Sequence, residues 1–127
     1  RDELDRGDSN DPEYIHVDME RFDADVVVHT PTSANIAAAI VKSETVRGVD
    51  RGERDLLAWC AAQDLVTMIL TTGDRAAIVA ACDLGLKDCL RSLDDLAALA
   101  GAQPVLRDHY CAKWLSEIRT KWLLENL

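Results

Sequence analysis

The sequence lacks a long apolar run, since no stretch approaches the roughly 20 uninterrupted apolar residues that a membrane-spanning helix requires. Aromatic residues are also scarce, at 5% of 127 residues, and no basic-then-apolar leader follows Arg1. The apolar share of 48% and the mean hydropathy of −0.10 are ordinary for a globular protein. We therefore expect a single domain over residues 1–127 that spans no membrane.

Cysteine pairs with the spacing of a zinc finger are absent as well. The four cysteines form no CxxC pair and have no histidine at zinc-ligand spacing; they are Cys60, Cys82, Cys89 and Cys111. Three of them lie among alanine and leucine, where a free cysteine behaves as a small hydrophobic residue. We interpret them as reduced core thiols of a cytoplasmic protein.

Basic residues are few relative to acidic ones. The chain has 23 Asp and Glu against 14 Lys and Arg, which gives a net charge of −9. This balance argues against a passive nucleic-acid-binding module, because such modules carry a basic face for the phosphates. It is compatible with an enzyme whose carboxylates hold cations that then meet phosphate, and with a basic protein partner.

Helix and strand patterns alternate along the chain. Asp50 and Glu53 have the spacing of a capping box that opens the helix ERDLLAWCAAQ. The apolar run VTMILTT (66–72) predicts a strand covered on both faces, and RAAIVAACDLG (75–85) predicts a helix ended by Gly85. The other predicted elements are strands at 14–18, 25–29 and 86–90, a helix at 33–44 and a helix that Ser92 caps. This alternation predicts a three-layer α/β/α sandwich around a mainly parallel sheet.

The last segment, residues 107–126, predicts one amphipathic helix. Tyr110, Trp114, Ile118 and Trp122 form a stripe at every fourth residue. Aromatic residues are enriched where proteins meet. We therefore expect this helix to pack in the core or to contact another subunit, in a homodimer or with an antitoxin protein.

Acidic residues follow the predicted strand and open the predicted helix. In an open parallel sheet, ligands gather outside the carboxyl ends of the strands, and Asp74 lies just past VTMILTT. Glu53 and Asp55 lie in the first turn of the preceding helix. Converging carboxylates repel one another unless a hard cation such as Mg²⁺ lies between them, and that cation can activate water against a phosphate. The alternative is structural, because acids at helix starts are favoured by capping and by the macrodipole.

The local pattern resembles PIN domains, particularly those of toxin–antitoxin systems. The matching stretch runs from about Val49 to Gly101 and contains GERDLLAWCA, ILTTGDRAAIVAACDLGL with its T-x-D signature, and DCLRSLDDLAALAG. The resemblance implies a site of three or four acids that binds Mg²⁺ or Mn²⁺ and hydrolyses RNA. By position, Glu53 and Asp74 match two of the family's acids, with Asp55 as a possible helper.

The amino-terminal part departs from the family pattern. For the family's earlier helix acid, Glu3 is the best match and Glu44 a weaker rival. The family opens with a strand that ends in an aspartate, and Asp18 is the only candidate for it here. Because the chain starts at Arg1, we expect the first strand and helix of the domain to be missing from this sequence.

Two functions therefore remain open at the level of sequence. The first is a divalent-metal-dependent ribonuclease, possibly the toxin of a toxin–antitoxin pair, with Glu53, Asp74, Asp55 and Glu3 at its site. The second is a catalytically degenerate PIN-like domain that binds a protein partner. A receiver- or flavodoxin-like domain would need a phosphoacceptor or flavin-binding loop, and we identify neither in the sequence.

Overall fold

Helices make up most of the protein wherever its structure is described. The computed structural model describes residues 16–63 and 68–127, and within these ranges it contains six α-helices and two 3₁₀ turns. The helices are α1 (Met19–Asp25), α2 (Ser33–Lys42), α3 (Arg51–Ala61), α4 (Arg75–Asp83), α5 (Leu93–Leu99) and α6 (Ala112–Glu125). The 3₁₀ turns are Glu44–Arg47 and Asp108–Tyr110.

The predicted α/β/α sandwich with a parallel sheet is wrong. Within the described ranges no strand forms, and the strand pairing there consists of one isolated parallel bridge between Leu70 and Leu90. The Leu70 amide donates to the Cys89 carbonyl at 2.8 Å, and the Arg91 amide donates to the Leu70 carbonyl at 2.9 Å. A sheet needs such bonds to continue along both chains, and here they stop after one residue.

The segment VTMILTT explains this error. Residues 66 and 67 lie outside the described ranges, and the rest of the run is extended with Leu70 buried at 7% exposure. Ile69 is 56% exposed, so the run is not covered on both faces as its apolar character predicts. Apolar composition favoured a buried strand, but the chain turns at Gly73 before a ladder can form.

The other three predicted strands also fail within the described residues. Helix α1 ends at Asp25, and the valines that follow pair with no strand among the described residues. Val27 is 76% exposed. Residues 86–90 form a turn that contributes only Leu90 to the bridge. Of the predicted strand 14–18, residues 14 and 15 lie outside the described ranges, and Asp18 caps α1 instead. Local β-branched composition did not decide these segments, because strand preference depends on neighbours to pair with.

The predicted helices α4 and α5 are confirmed together with the caps at their starts, whereas α3 forms without the capping hydrogen bond expected from the Asp50 side chain. The Asp74 and Ser92 side chains cap α4 and α5 by accepting backbone amides. Gly85 and Gly101 follow these helices with φ of +85° and +75°, in the left-handed region that glycine adopts without strain. For α2 the cap is Thr32, one residue before the predicted Ser33, and Thr32 forms a capping box with Asn35.

The centre of the fold is α4, which is buried on several sides. Its buried side chains are mostly small: Ala77, Ile78, Ala80, Ala81 and Cys82. Small side chains allow neighbouring helices to approach closely, and α3, α6 and the turn Glu44–Arg47 all contact α4. An apolar surface on several sides is typical of a helix at the centre of a core.

The carboxyl-terminal helix begins later than the sequence predicts. Residues 108–110 form a 3₁₀ turn, and α6 starts at Ala112. The predicted stripe packs unevenly: Ile118 is buried, Trp114 and Trp122 are half-buried, and Tyr110 is 36% exposed. Among the described helices, none has the length and apolar character needed to cross a membrane.

Candidate functional site

The structure brings Glu53 and Asp74 to one place through the hydroxyl group of Thr72. Glu53 lies in the first turn of α3, and its Oε1 accepts a hydrogen bond from Thr72 Oγ1 at 3.0 Å. The same Thr72 Oγ1 accepts the backbone N–H of Asp74 at 3.0 Å. One threonine therefore connects the two acids that begin separate helices.

Asp74 itself is fixed by the start of α4. Its Oδ1 accepts the backbone N–H of Ala77 at 2.8 Å, which is the geometry of a helix N-cap. The side chain of Asp50, in contrast, makes no capping hydrogen bond for α3. The capping role proposed for the acids is thus confirmed for Asp74, while the Glu53 side chain bonds to Thr72.

The environment of Glu53 disfavours its negative charge. Burial is the largest cause that raises its pKa, and the neighbouring carboxylates of Asp74 and Asp50 raise it further. The hydrogen bond from Thr72 and the Asp50 backbone act in the opposite direction without cancelling these effects. A cation placed between Glu53 and Asp74 would relieve this repulsion.

The raised pKa of Glu53 predicts how the stability of the protein depends on pH. An acid whose pKa is higher in the folded than in the unfolded state contributes stability below its unfolded pKa, and that contribution is lost as pH rises through the folded value. Glu53→Gln should therefore be more stable than the wild type at pH 7, and the difference should shrink as pH falls through the raised folded-state pKa of Glu53 and be absent below the ordinary value of 4.5. Urea unfolding at a series of pH values measures this. A variant less stable than wild type at pH 7 in metal-free buffer would contradict it.

Glu53 and Asp74 are the two residues here with carboxylate oxygens that could ligate a divalent cation. One oxygen of each carboxylate is outside the side-chain hydrogen bonds described above, and both are hard oxygen ligands. Mg²⁺ in proteins is commonly held by one or two carboxylates, with water and substrate phosphate completing its shell. A cage built from protein alone is not present in the described ranges, where no three His, Cys, Asp or Glu residues are grouped to hold a metal.

The other acids from the sequence analysis lie elsewhere. Asp55 pairs with Arg54 at 3.1 Å and with Arg51 at 3.7 Å, both on its own helix. Glu44 is exposed in the first 3₁₀ turn. Asp18 is the exposed cap of α1, and Glu3 lies outside the described residues.

The rings of His109 and Tyr110 lie against the site, although Tyr110 was predicted to belong to the packing stripe of the last helix. A Cβ atom on Gly73 would come within 2.5 Å of Tyr110 Cε1 and 2.7 Å of His109 Cδ2, so the rings occupy the space that a side chain would need. Gly73 stands between Thr72 and Asp74 in the chain, which puts the second 3₁₀ turn at the edge of the carboxylate pair. The glycine inside T-x-D leaves the space that these rings occupy, but the sequence does not indicate which residues fill it.

Comparison with known protein families, with characterised proteins and with solved structures gives no match for this chain.

Proposed function

We propose that the protein is a divalent-metal-dependent ribonuclease that hydrolyses RNA phosphodiester bonds at Glu53 and Asp74. The observation that carries this proposal is the connection of Glu53 with Asp74 through the Thr72 hydroxyl, which donates to Glu53 Oε1 and accepts the Asp74 backbone N–H, each at 3.0 Å. Two acids at the starts of different helices lie near each other, and the pKa of Glu53 is raised first by burial and further by the Asp74 carboxylate. Functional sites commonly contain carboxylates perturbed by burial and by a like charge.

Each residue has a distinct task in the proposed mechanism. Glu53 and Asp74 would hold Mg²⁺ or Mn²⁺, which activates a water molecule and neutralises charge on the phosphate. Thr72 positions Glu53 by donating to its carboxylate, and it positions Asp74 by accepting its backbone N–H. The cap bond to Ala77 fixes the orientation of the Asp74 carboxyl group relative to α4.

The proposed biological setting follows from the resemblance to PIN domains of toxin–antitoxin systems. In that setting the protein acts in the cytoplasm on RNA, forms a homo-oligomer and is held inactive by an antitoxin protein. Two features of the chain support this setting. All four cysteines are free thiols, as expected in a reducing compartment, and α6 exposes Leu123 and Leu124 at 43% and 68%.

A non-catalytic interaction domain is the second candidate function. It is favoured by the small number of ligands, since no group of three candidate metal ligands occurs in the part of the chain that the structure describes. In this case the carboxylate pair would be a remnant that binds no metal, and α6 would contact a protein partner.

Calorimetric titration with Mn²⁺ separates the two candidates. We expect the full chain to bind Mn²⁺ with a dissociation constant in the micromolar range, and Glu53→Gln to lose this binding because one of two charged ligands becomes neutral. Glu117→Gln, which changes an exposed glutamate of α6, serves as the matched control and should bind as the wild type does. Absence of Mn²⁺ binding in the wild type would favour the interaction domain.

A further inference from the structure

The second 3₁₀ turn presents aromatic rings beside the proposed site. Tyr110 and His109 have ring centroids 4.2 Å apart with an angle of 50° between the ring planes. The edge of Trp114 lies against His109, with centroids 6.2 Å apart, so His109 is supported from α6. Tyr110 is the most exposed of the three rings, at 36% for the residue.

The position of these rings relative to the carboxylates is fixed by Gly73. The Tyr110 ring lies so close to Gly73 that a Cβ there would meet Cε1 at 2.5 Å and Cδ1 at 3.0 Å. Since consecutive Cα atoms are about 3.8 Å apart, the ring edge lies near both Thr72 and Asp74. A substrate with a phosphate at Asp74 can therefore place a neighbouring group on Tyr110.

Cationic side chains flank the same turn. Arg75 follows Asp74, Arg107 precedes the turn, and Lys113 lines a cavity of about 210 Å³ together with Asp108 and Trp114. All three cations are exposed and make no ion pair with a residue of the described ranges. Two acids also lie at this turn, Asp108 within it and Asp94, whose carboxylate accepts the Ala112 N–H at 3.0 Å. The three exposed cations are the groups here that are chemically suited to contact a phosphate backbone.

We propose that Tyr110, supported by His109, is a stacking platform for an unpaired base of a single-stranded RNA substrate, next to the Glu53–Asp74 site. An exposed ring offers a π-face to any base, and single strands are recognised by this combination of aromatic stacking and cationic contacts. In a duplex the bases are stacked on one another and cannot reach the ring. This inference rests on the proposed ribonuclease function, because it assigns a residue that would hold the substrate beside that site.

The test measures binding separately from cleavage. A fluorescently labelled, unstructured oligoribonucleotide is titrated with the full-length chain by anisotropy, with divalent ions chelated so that no hydrolysis occurs. Tyr110→Ala and Tyr110→Leu should weaken binding about ten- to a hundredfold, the range that loss of one base–aromatic stack produces. Tyr110→Phe should bind within about twofold of wild type because it retains the ring.

The leucine variant also tests whether Tyr110 has only a structural role. Leucine keeps apolar bulk against Gly73 but has no π-face, so the structure around Gly73 is retained while stacking is lost. Thermal unfolding midpoints of the variants show whether they remain folded at the assay temperature. If Tyr110→Leu and Tyr110→Ala bind RNA as wild type does, the stacking platform is refuted.

Further outcomes separate this inference from the ribonuclease proposal. The same sequence in a duplex should bind more weakly and be insensitive to Tyr110→Ala; equal binding of duplex and single strand would overturn the inference, as would no binding of wild type to the single strand. Binding that depends on Tyr110, combined with no cleavage in Mn²⁺, would support the platform and reject the ribonuclease. Cleavage in Mn²⁺ with an unchanged KM for Tyr110→Leu would support the ribonuclease and reject the platform.

Discussion

Asp74→Asn should remove Mn²⁺-dependent RNA cleavage while the protein remains folded. We expect kcat/KM to fall by more than about a hundredfold. Mutation of a residue that only hydrogen-bonds to a metal ligand already lowers activity by up to about that factor, and Asp74 is proposed as a ligand itself. The neutral amide cannot balance the charge of a divalent cation, and it leaves Glu53 as the one charged ligand of the pair. Cleavage of a labelled single-stranded RNA in Mn²⁺ measures the effect.

The choice of asparagine separates the metal-binding role from the capping role of Asp74. In the wild type, Asp74 Oδ1 accepts the backbone N–H of Ala77 at 2.8 Å. Asparagine has an oxygen at the same place and is as good an N-cap as aspartate. The variant loses a favourable interaction of a negative charge with the α4 dipole, but it also loses repulsion with Glu53. These two effects oppose each other, so we expect little change in the free energy of unfolding.

Asp74→Ala is the informative companion variant. It loses both the charge and the cap, so it should lose cleavage and also about 1 kcal/mol of stability, the usual cost of removing such a cap. Equal cleavage by wild type and Asp74→Asn would exclude Asp74 as a metal ligand. Equal loss of stability in the asparagine and alanine variants would show that asparagine does not preserve the cap of α4.

Asp83→Ala should be the most destabilising of the substitutions considered. The Asp83 carboxylate lies at the end of α4 and joins three parts of the core. Its Oδ2 accepts from Ser43 Oγ at 2.6 Å, and its Oδ1 accepts from Trp122 Nε1 at 2.7 Å. Ser43 is 4% exposed and Trp122 is half-buried, so removal of the carboxylate leaves donors without their partner.

The expected size of this effect follows from the charge of the acceptor. Hydrogen bonds to charged groups contribute roughly 1.5–3 kcal/mol each, and Asp83 is only half-buried, so we expect a loss of about 3 kcal/mol for the two bonds together. That is a large fraction of the roughly 5–15 kcal/mol by which domains are stable. Urea unfolding gives the free energy and tests whether the m-value is unchanged.

Asp88→Ala is the matched control for this substitution. It also removes one aspartate, but the Asp88 side chain is 80% exposed and its ion pair with Arg119 is 3.8 Å long. Exposed pairs contribute little, so the change should stay within about 0.5 kcal/mol. If the two variants were equally stable, the network of Asp83 would contribute nothing to the fold.

The position of Asp83 also separates its effect from the proposed site. The nine residues of α4 span about 14 Å at 1.5 Å per residue, with Asp74 before the first and Asp83 as the last. Asp83→Ala should therefore bind Mn²⁺ as the wild type does under conditions where it remains folded. Loss of stability without loss of metal affinity would identify Asp83 as a structural residue.

Helix starts could be predicted from the sequence because their chemistry is local. Asp74 and Ser92 each cap the helix that follows, and Gly85 and Gly101 end helices with positive φ. A side chain that accepts an amide three residues away needs no distant partner. The candidate site was found in the same way, since Glu53 and Asp74 were identified as acids at helix starts.

Strand pairing could not be predicted, because it depends on two segments that are distant in the chain. The apolar run before Gly73 had the composition of a buried strand, yet only Leu70 finds a partner, Leu90. For the same reason, neither the position of Tyr110 nor the role of Asp83 could be predicted from the sequence. Both depend on contacts between α4 or its preceding turn and residues more than 30 positions away.

By itself, the sequence determined the starts and ends of α4 and α5 and the two acids of the candidate site, because these features depend on residues within a few positions of one another. Only the tertiary structure decided that the core is helical, that Thr72 connects Glu53 with Asp74, and that Tyr110 lies at Gly73. These depend on long-range packing, in which the small side chains of α4 allow neighbouring helices to approach and leave the extended segments with a single bridge.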